Sequence, residues 1–380
     1  MKRNMQRKQR INPMIMKACE RAAERLLLHR WKLWFWADSI GLEGLLDATE
    51  ITGNPKYFAY VYGLFKAWIP RIQFHSKFDH TAAGVALLRC FEKTEDQALL
   101  EAARNFADYL LTFRKTFNGC PIHYEDAHIE LPPELPADHP NYDRQKEALR
   151  KSMASANAGP CVFVDSVHFQ GTFLAKLFHI TGEKKYLAQA EETIGPQVAL
   201  LWDEKEKLFH HFWSERSKSK NGVLWGRGNG WGMLGLLQTL YYLPQKSLLY
   251  SSFKNVFIKQ AERLRELQNK SGDWHTVLND PQSYLEASIA AFVVDGFSFA
   301  IKQKWLSANY KTVVEKAWGA MWKHVRSDGL FDGVSFETFP STRAEHYRSM
   351  PRGAIVPWGQ GPFLTACHSY LNHLKGGGRS

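Results

Sequence analysis

The chain has 380 residues, 44% of them hydrophobic and 23% charged, which is typical of an ordinary globular protein. No apolar run is long enough to cross a bilayer, so we expect no membrane partner. The net charge of +11 suits an anionic ligand or a nucleic acid, but no basic run is interleaved with aromatic residues. We therefore expect a small anionic ligand and no nucleic acid.

The start of the chain and its cysteines bear on its compartment. Residues 1–10 are basic but lead into an amphipathic segment at 17–28, so we expect no secretion signal. Five cysteines occur singly, at Cys19, Cys90, Cys120, Cys161 and Cys367. An odd number of scattered cysteines favours reduced thiols and a cytoplasmic location. We expect a monomer or a weak oligomer.

Helical periodicity dominates the chain, with apolar residues at i, i+3 and i+4 through segments such as 99–113 and 253–267. Short polar turns separate successive helices at 52–57, 93–96, 181–186, 243–246 and 306–310. With an opening helix near 17–28 and a closing helix near 361–373, these turns give twelve helices in six hairpins. Since neither end has the polar capping repeat of an open solenoid, the sequence predicts an all-α (α/α)6 barrel.

The predicted barrel is a single domain, residues 1–375, followed by a disordered tail at 376–380. The short turns lie on one rim, so the other rim carries the long links, at 71–77, 115–162, 202–228, 269–283 and 327–360. A segment at about 125–160 is rich in Pro, Asp, Glu and Lys, and we interpret it as an insertion in a rim loop. Long loops on one face of a rigid ring are where a site is expected.

Polar and aromatic residues recur where each long link re-enters the ring. They are Trp36, Asp38, Asp79, Asp165, Arg227, Trp231, Glu286, Trp358 and Gln360. Helix N-termini that converge at this mouth offer N–H donors and a positive dipole end to an anion. Each residue also has a structural interpretation. The aspartates suit N-caps, Glu286 suits a helix N-terminus, Arg227 suits a bridge between loops, and the tryptophans suit the core.

The run Trp225-Gly226-Arg227-Gly228-Asn229-Gly230-Trp231 has three glycines around one arginine, which makes a poor helix start. A binding loop explains this composition better. Its glycines would admit a ligand, Arg227 would form a two-pronged contact with a carboxylate, and an indole would stack on a sugar face.

Four segments carry a resemblance to a known family: residues 164–169 (VDSVHF), 225–231 (WGRGNGW), 284–288 (YLEAS) and 359–361 (GQG). They resemble the unsaturated rhamnogalacturonyl hydrolases of glycoside hydrolase family 105. They are similar, more distantly, to the unsaturated glucuronyl hydrolases of family 88. The resemblance runs in order from about Trp34 to the last helix.

This resemblance implies an (α/α)6 barrel that needs no metal or cofactor. The implied substrate is an oligosaccharide that ends in an unsaturated uronate, as a polysaccharide lyase leaves it. Hydration of the C4=C5 double bond gives a hemiketal, which opens and releases the following sugar. By the motif match, Asp165 is the general acid/base and Asp79 its partner carboxylate.

The same match implies that His211, Arg227 and Trp231 hold the uronate, and it places His123 near another pocket histidine. Trp225, Trp36 and Asp38 complete the predicted binding set. Two positions depart from the family pattern. Phe169 stands where a methionine is usual, and His168 where a tyrosine is common.

Proton transfer from Asp165 requires a protonated carboxyl, although a helix N-terminus favours the ionised form. We expect Asp79 and apolar neighbours such as Phe163 and Phe169 to raise the pKa of Asp165.

Two other functions remain open. One is an inverting glycosidase acting on a saturated sugar, in which an acid and a base flank the bond. The other is a non-catalytic protein that binds sugar acids.

Overall fold

The computed structural model describes residues 12–31, 36–71, 81–123, 159–353 and 355–374. Three of the sequence predictions fall outside these ranges: Asp79, nearly all of the insertion at 125–160, and the tail at 376–380.

Twelve long helices are present in the described ranges, as the sequence predicts. They are α1 (Pro13–Leu27), α2 (Trp36–Thr52), α3 (Pro55–Trp68), α4 (Gly84–Thr94), α5 (Gln97–Leu110), α6 (Phe173–Thr181, preceded by a π-helical turn at Val167–Thr172), α7 (Lys184–Leu201), α8 (Gly226–Tyr242), α9 (Tyr250–Leu267), α10 (Ala287–Lys302), α11 (Lys311–Lys323) and α13 (Pro357–Ser369, continued by a π-helical turn at Tyr370–Leu374). Short 3-10 turns at Ile69–Arg71 and Ala308–Tyr310 follow α3 and precede α11, and the one-turn helix α12 (Ala344–Arg348) lies in the link before α13. No helix in the described ranges is long and apolar enough to span a membrane.

Small antiparallel sheets lie in the long links. Their strands are β1 (Cys161–Phe163), β2 (Trp202–Asp203), β3 (Leu208–Phe209), β4 (Phe212–Ser214), β5 (Ser219–Lys220), β6 (Trp274–His275) and β7 (Leu285–Glu286). The described pairs are β1 with β4, β4 with β5, β2 with β3, and β6 with β7. Pairing of Phe163 with Phe212 brings the strand before Asp165 beside the strand after His211.

Three of the predicted short turns contain a capping residue. Asn54 accepts a hydrogen bond from the Lys56 N–H at 3.1 Å, and a proline follows it at the first position of α3. Asp96 caps α5 in the same way, through the Ala98 N–H at 3.1 Å. Gly182 ends α6 with a φ of +69°, a conformation that glycine adopts without strain.

The helices form two layers around one axis. In the inner layer α2 contacts α4, α4 contacts α6, the π-helical turn before α6 contacts α8, α8 contacts α10, and α10 contacts α13. The last inner helix, α13, packs on the first, α2, so the ring is closed. Helices α1, α3, α5, α7, α9 and α11 pack outside it. The fold class predicted from the sequence is therefore confirmed.

Glycines bring α2 and α13 into backbone contact where the ring closes. A Cβ on Gly361 would lie 2.3 Å from the Ile40 carbonyl oxygen, and one on Gly44 would lie 2.8 Å from the Gly361 Cα. Real Cβ atoms do not approach backbone so closely, so any side chain here would push the two helices apart.

We expect Gly361→Ala to lower the free energy of unfolding by about 1–3 kcal/mol or more, because the clash is with backbone that has no rotamer to change. Gly319→Ala in α11 is the matched control, since a Cβ there meets nothing within 4 Å. That variant should be more stable by up to about 1 kcal/mol, from helix propensity. Urea unfolding of both variants checks the prediction, and equal midpoints would contradict it.

Candidate active site

The long links and the N-terminal ends of the inner helices meet at one rim of the ring. The structure brings together there four of the residues predicted from the sequence: Asp165, His211, Trp225 and Arg227. Asp165 follows β1, His211 connects β3 to β4, and Trp225 precedes α8. Within the described ranges, no three His, Cys, Asp or Glu side chains are grouped as a metal site would need.

Asp165 is a buried carboxyl group, with 4% of its surface exposed. Its backbone carbonyl accepts hydrogen bonds from the His168 and Phe169 N–H groups, at 3.0 and 3.2 Å. Its Oδ2 has no hydrogen-bond partner among the described residues, and the N-cap position of the helical segment that follows is Ser166, which forms no side-chain cap hydrogen bond. Burial raises the pKa of Asp165 to about 7, although its own N–H and the charge of Arg227 act to lower it.

The nearest ionisable partner of Asp165 in the described ranges is an imidazole. His211 Nε2 lies 3.8 Å from Asp165 Oδ2, and the histidine is 3% exposed. The His211 ring packs against Trp225, with 4.4 Å between ring centroids. Burial holds the pKa of His211 well below its usual range, and nearby Arg227 and His346 lower it further. His211 is therefore neutral at physiological pH.

Hydrogen-bond distances indicate which nitrogen of this neutral ring carries the proton. His211 Nδ1 lies 2.6 Å from the Tyr347 hydroxyl oxygen, which is short and typical of a hydroxyl donor. The Ser341 carbonyl, the other acceptor for that hydroxyl, is 3.2 Å away. The Asn221 amide donates to the same oxygen at 3.2 Å. The shorter distance favours donation from Tyr347 to Nδ1 over donation to the Ser341 carbonyl, and we infer that the proton of His211 is on Nε2, the nitrogen 3.8 Å from Asp165 Oδ2.

Arg227 does not present its terminal nitrogens to the mouth. The side chain is fully buried, and NH1 donates to the Ser335 hydroxyl at 2.8 Å and to Glu286 Oε1 at 3.2 Å. NH2 donates to the Phe336 carbonyl at 3.0 Å and to the Thr338 hydroxyl at 3.1 Å. The geometry favours the bridging interpretation of Arg227 over a two-pronged contact with a ligand. Only Nε has no partner in the described ranges.

The glycine-rich run begins a helix rather than a binding loop, so this part of the sequence interpretation is wrong. A Cβ on Gly226 would lie 2.2 Å from Ile289, and one on Gly230 would lie 2.8 Å from Phe292. The glycines therefore let α8 pack closely on α10. Asn229 bonds both backbone groups of Phe209 and so fixes β3 beside this helix.

Glu286 fits its structural interpretation as a helix cap. Its Oε2 accepts from the Ser288 N–H at 3.0 Å, and its Oε1 accepts from the Ser335 N–H at 2.9 Å. Because Arg227 bonds the same carboxylate, this buried ion pair joins the starts of α8 and α10 to the link that contains Ser335.

Trp36, Asp38 and Trp358 lie across the mouth at the starts of α2 and α13. The Trp36 and Trp358 rings are in contact, with centroids 5.2 Å apart, and the Trp358 indole donates to the Ser335 carbonyl at 3.0 Å. Asp38 is buried and lies 3.1 Å from His29 Nε2. The structure supports their predicted positions at the mouth, and their contact with a ligand stays a prediction.

His123 and Trp231 are further from open space than the sequence suggests. The Phe163 N–H donates to His123 Nδ1 at 2.9 Å, and burial lowers the pKa of this histidine to about 3. It therefore supports β1, the strand before Asp165. Trp231 is fully buried between His168, at a centroid distance of 5.3 Å, and Phe292, at 4.9 Å.

Sequence reasoning missed Tyr347, Asn221 and Ser335. Tyr347 lies in α12, more than a hundred residues beyond His211, and neither it nor Ser335 stands in a recognisable motif. For Asn221 the sequence contains a weak indication of a turn, because Asn221 precedes Gly222, whose φ is +77°. Only the packing of the links shows that these groups meet.

We expect Tyr347→Phe to remove the hydroxyl that selects the His211 tautomer. In the unmodified protein, His211 should show a single Nε2–H form from pH 5 to 8 in ¹⁵N–¹H spectra of histidine-labelled protein, assigned with a His211→Asn variant. Tyr347→Phe should give a mixture of tautomers or an Nδ1–H form. Tyr57→Phe is the control, because it removes a buried hydroxyl that bonds Glu24 instead. An Nδ1–H form in the unmodified protein would contradict the assignment.

Asp165→Asn should stabilise the fold at high pH. The folded-state pKa of about 7 lies above the ordinary value of 3.8. Ionised Asp165 therefore destabilises the folded protein, and this loss of stability begins as pH rises past 4 and is complete above about 7. Asparagine cannot ionise. The variant should therefore have the same free energy of unfolding as the unmodified protein near pH 4 and a higher one at pH 8. The difference should be about 1.4 kcal/mol for each pKa unit that separates the folded and unfolded states of Asp165.

The control for this comparison is Asp96→Asn. Lys66 and Tyr62 lower the pKa of Asp96, so its removal should cost stability at neutral pH while asparagine keeps the α5 cap. Denaturant unfolding at several pH values gives both curves. If both substitutions changed the free energy of unfolding in the same direction as pH rises, burial would not explain the raised pKa of Asp165.

Comparisons with known proteins agree with this fold. The sequence model of Glycosyl Hydrolase Family 88 matches residues 8–374. The unsaturated rhamnogalacturonyl hydrolase YesR of Bacillus subtilis is 26% identical over 349 residues, covering 90% of this chain and 91% of the relative. An unsaturated 3S-rhamnoglycuronyl hydrolase from an Alteromonas species is 29% identical over 166 residues, 42% of this chain and 40% of the relative.

Solved structures show the same architecture. A possible member of glycoside hydrolase family 105 from Salmonella enterica superposes with a TM-score of 0.79 at 22% identity, covering 94% of this chain and 93% of the other. An unsaturated glucuronyl hydrolase from a Bacillus species gives 0.65 at 16% identity, covering 90% and 86%. With a family match along nearly the whole chain, this protein belongs to Glycosyl Hydrolase Family 88 and is a glycoside hydrolase.

Proposed function

We propose that this chain removes a 4,5-unsaturated uronic acid from the non-reducing end of lyase-generated oligosaccharides by hydrating the C4=C5 double bond. The observation that carries the proposal is the buried Asp165, whose pKa is raised to about 7 at the mouth of a closed helical barrel. A carboxyl group with this pKa is a proton donor at neutral pH. Its match to the family motif supports the same role.

The chemistry needs one group that first donates and then accepts a proton. Asp165 donates its proton to C4, and a water oxygen bonds to C5. The proton of that water returns to the Asp165 carboxylate, so the residue ends the step as it began. The resulting hemiketal opens and releases the following sugar. Asp79 remains our candidate for the partner carboxylate, and it lies outside the described residues.

The neighbours of Asp165 have separate roles in this proposal. His211 is neutral and carries its proton on Nε2, so it donates a hydrogen bond to the attacking water or to the uronate. Trp225 packs on His211 and holds its ring in place. Arg227 acts mainly through the Ser335–Thr338 segment, with its positive charge supporting an anionic substrate. Trp36 and Asp38 remain our candidates for contact with the substrate. His123 and Trp231, which belong to the same predicted binding set, support the pocket walls.

The sugar preference is the finer part of the proposal. We propose an unsaturated galacturonyl residue followed by rhamnose, supported by the identity along 90% of the chain to an unsaturated rhamnogalacturonyl hydrolase. We also propose a cytoplasmic enzyme, because its five cysteines are all buried and unpaired. A monomer or weak oligomer that binds neither nucleic acid nor membrane stays a prediction.

Asp165→Asn provides the sharpest test of this function. Loss of the ultraviolet absorbance of the conjugated enol ether reports hydration of an unsaturated disaccharide. The variant should react about 10²- to 10⁴-fold more slowly, because an amide neither donates nor accepts the proton. Its fold should survive, as the stability prediction above requires. The rate of the unmodified enzyme should fall as pH rises through about 7, where Asp165 ionises.

Three outcomes would contradict the proposal. If Asp165→Asn reacted at more than about a tenth of the normal rate, Asp165 would not be the proton donor, because an amide cannot replace it in proton transfer. Reaction in ¹⁸O-water should label C5 of the uronate product. Label at the anomeric carbon, with turnover of a saturated substrate, would favour an inverting glycosidase. Binding without turnover of any unsaturated oligosaccharide would favour a sugar-acid binding protein.

A further inference from the structure

We propose that the π-helical turn Val167–Thr172 sets the position of the Asp165 carboxyl for proton transfer, and that Gln197 and Gly235 are the positioning residues that hold this turn. The turn begins two residues after Asp165, and all six of its residues are buried. Such turns are wider than an α-helical turn and occur often at functional sites. This inference deepens the proposed function and rests on it.

The backbone around Asp165 is bonded to the turn on one side and to the neighbouring strand link on the other. The Asp165 carbonyl accepts from the N–H groups of His168 and Phe169 in the turn, at 3.0 and 3.2 Å. The Val164 N–H donates to the His211 carbonyl at 2.9 Å. The carboxyl group therefore moves with this short stretch of backbone. Its separation from His211, 3.8 Å between Asp165 Oδ2 and His211 Nε2, depends on where the turn lies.

One glutamine of α7 holds the turn at two points. Gln197 is fully buried, and its Nε2 donates to Gln170 Oε1 at 2.8 Å. Its Oε1 lies 3.1 Å from the hydroxyl of Ser166, the residue next to Asp165. That hydroxyl also lies 2.5 Å from the Phe163 carbonyl at the end of β1. Ser166 and Gln170 are both fully buried, so loss of the Gln197 amide would leave buried polar groups without this partner and the turn free to shift.

Helix α8 packs directly against the backbone of the turn at Gly235. A Cβ on Gly235 would lie 2.5 Å from the His168 nitrogen and 2.6 Å from the Val167 carbonyl carbon. These two atoms belong to the peptide whose N–H bonds the Asp165 carbonyl. Real Cβ atoms do not approach backbone so closely, so an alanine at this position would have to displace the peptide or α8.

Both residues act on the reaction through the turn. Gln197 bonds Ser166 and Gln170, not a residue of the predicted binding set, and Gly235 is buried within α8. A misplacement of about 1 Å can cost an enzyme about 10²-fold in rate. Displacement of the turn should therefore lower kcat more than it changes KM, because the groups predicted to bind the uronate keep their own supports.

The experiment compares Gln197→Met with Gln189→Met in the hydration of an unsaturated disaccharide. Both glutamines are buried in α7, and Gln189 Nε2 donates to the Ala107 carbonyl of α5 at 2.6 Å instead of to the turn. Gln197→Met should lower kcat about tenfold or more and leave KM within about twofold of normal. Gln189→Met loses a buried hydrogen bond of the same kind and should keep both constants near normal. An unchanged kcat in Gln197→Met, or an equal loss in both variants, would overturn the inference.

Gly235→Ala tests the same turn from α8. It should lower kcat about 10- to 100-fold with little change in KM, whereas Gly319→Ala, whose Cβ meets nothing within 4 Å, should not. Because both substitutions displace one turn, the double variant should lose less than the product of the two single losses. Fully multiplicative losses would show that the two residues act through separate structures and would overturn the inference. If Gly235→Ala did not fold, the result for Gln197→Met would decide alone.

A direct titration separates this inference from the proposed function. If the unmodified protein hydrated no unsaturated saccharide, the proposed function would fail, and ¹³C spectra of the Asp165 carboxyl, assigned with Asp165→Asn, would decide about the turn. Burial raises the pKa of Asp165 to about 7, and its ionisable neighbours His211 and Arg227 are the same in both glutamine variants. A displaced turn should admit water to the carboxyl and lower its pKa in Gln197→Met but not in Gln189→Met. Equal pKa values in the two variants would overturn the inference.

Discussion

Contact between the first and last inner helices determines the geometry of everything at the rim. At Gly361, α13 touches the backbone of α2 so closely that no side chain fits between them. This contact closes the ring, and closure buries the inner helices on all sides, as in α2, where every residue except Glu50 is buried. Six helix starts then face one mouth, and links that are far apart in sequence become neighbours.

Closure also explains why the pKa of Asp165 is shifted. A carboxyl group at an isolated helix start is solvated and stays ionised at neutral pH. At the closed rim, burial raises its pKa to about 7 and outweighs the opposing effect of Arg227. The same lack of water holds His211 neutral, and the Tyr347 hydroxyl is the group that we infer selects its tautomer. Asp165 and His211 thus have their protonation states before any ligand binds. The raised pKa of Asp165 costs stability above pH 4.

Arg227 shows how one buried side chain can hold a link of the rim in place. Its ion pair with Glu286 is completely buried, so the pair depends on the further hydrogen bonds that Arg227 donates to Ser335, Phe336 and Thr338 to offset desolvation. Those bonds hold the segment that forms a β-bridge between Ser335 and Arg352. Removal of the arginine would leave Glu286 buried without its partner, and both sides of the segment would lose their support.

The sequence by itself determined the twelve helices, the short turns between them and the position of Asp165 before an inner helix, because periodicity, turn residues and short motifs are local signals. His211 was indicated only by the family resemblance. It misjudged the run at 225–231, whose glycines serve the packing of α8 on α10 at Ile289 and Phe292. It could not find Tyr347 or Ser335, nor show that the terminal nitrogens of Arg227 are already bonded within the protein. These facts depend on which links meet after the ring closes. Hydrogen bonds and desolvation act between groups that are close in space, and closeness of residues a hundred positions apart is decided only by the tertiary structure.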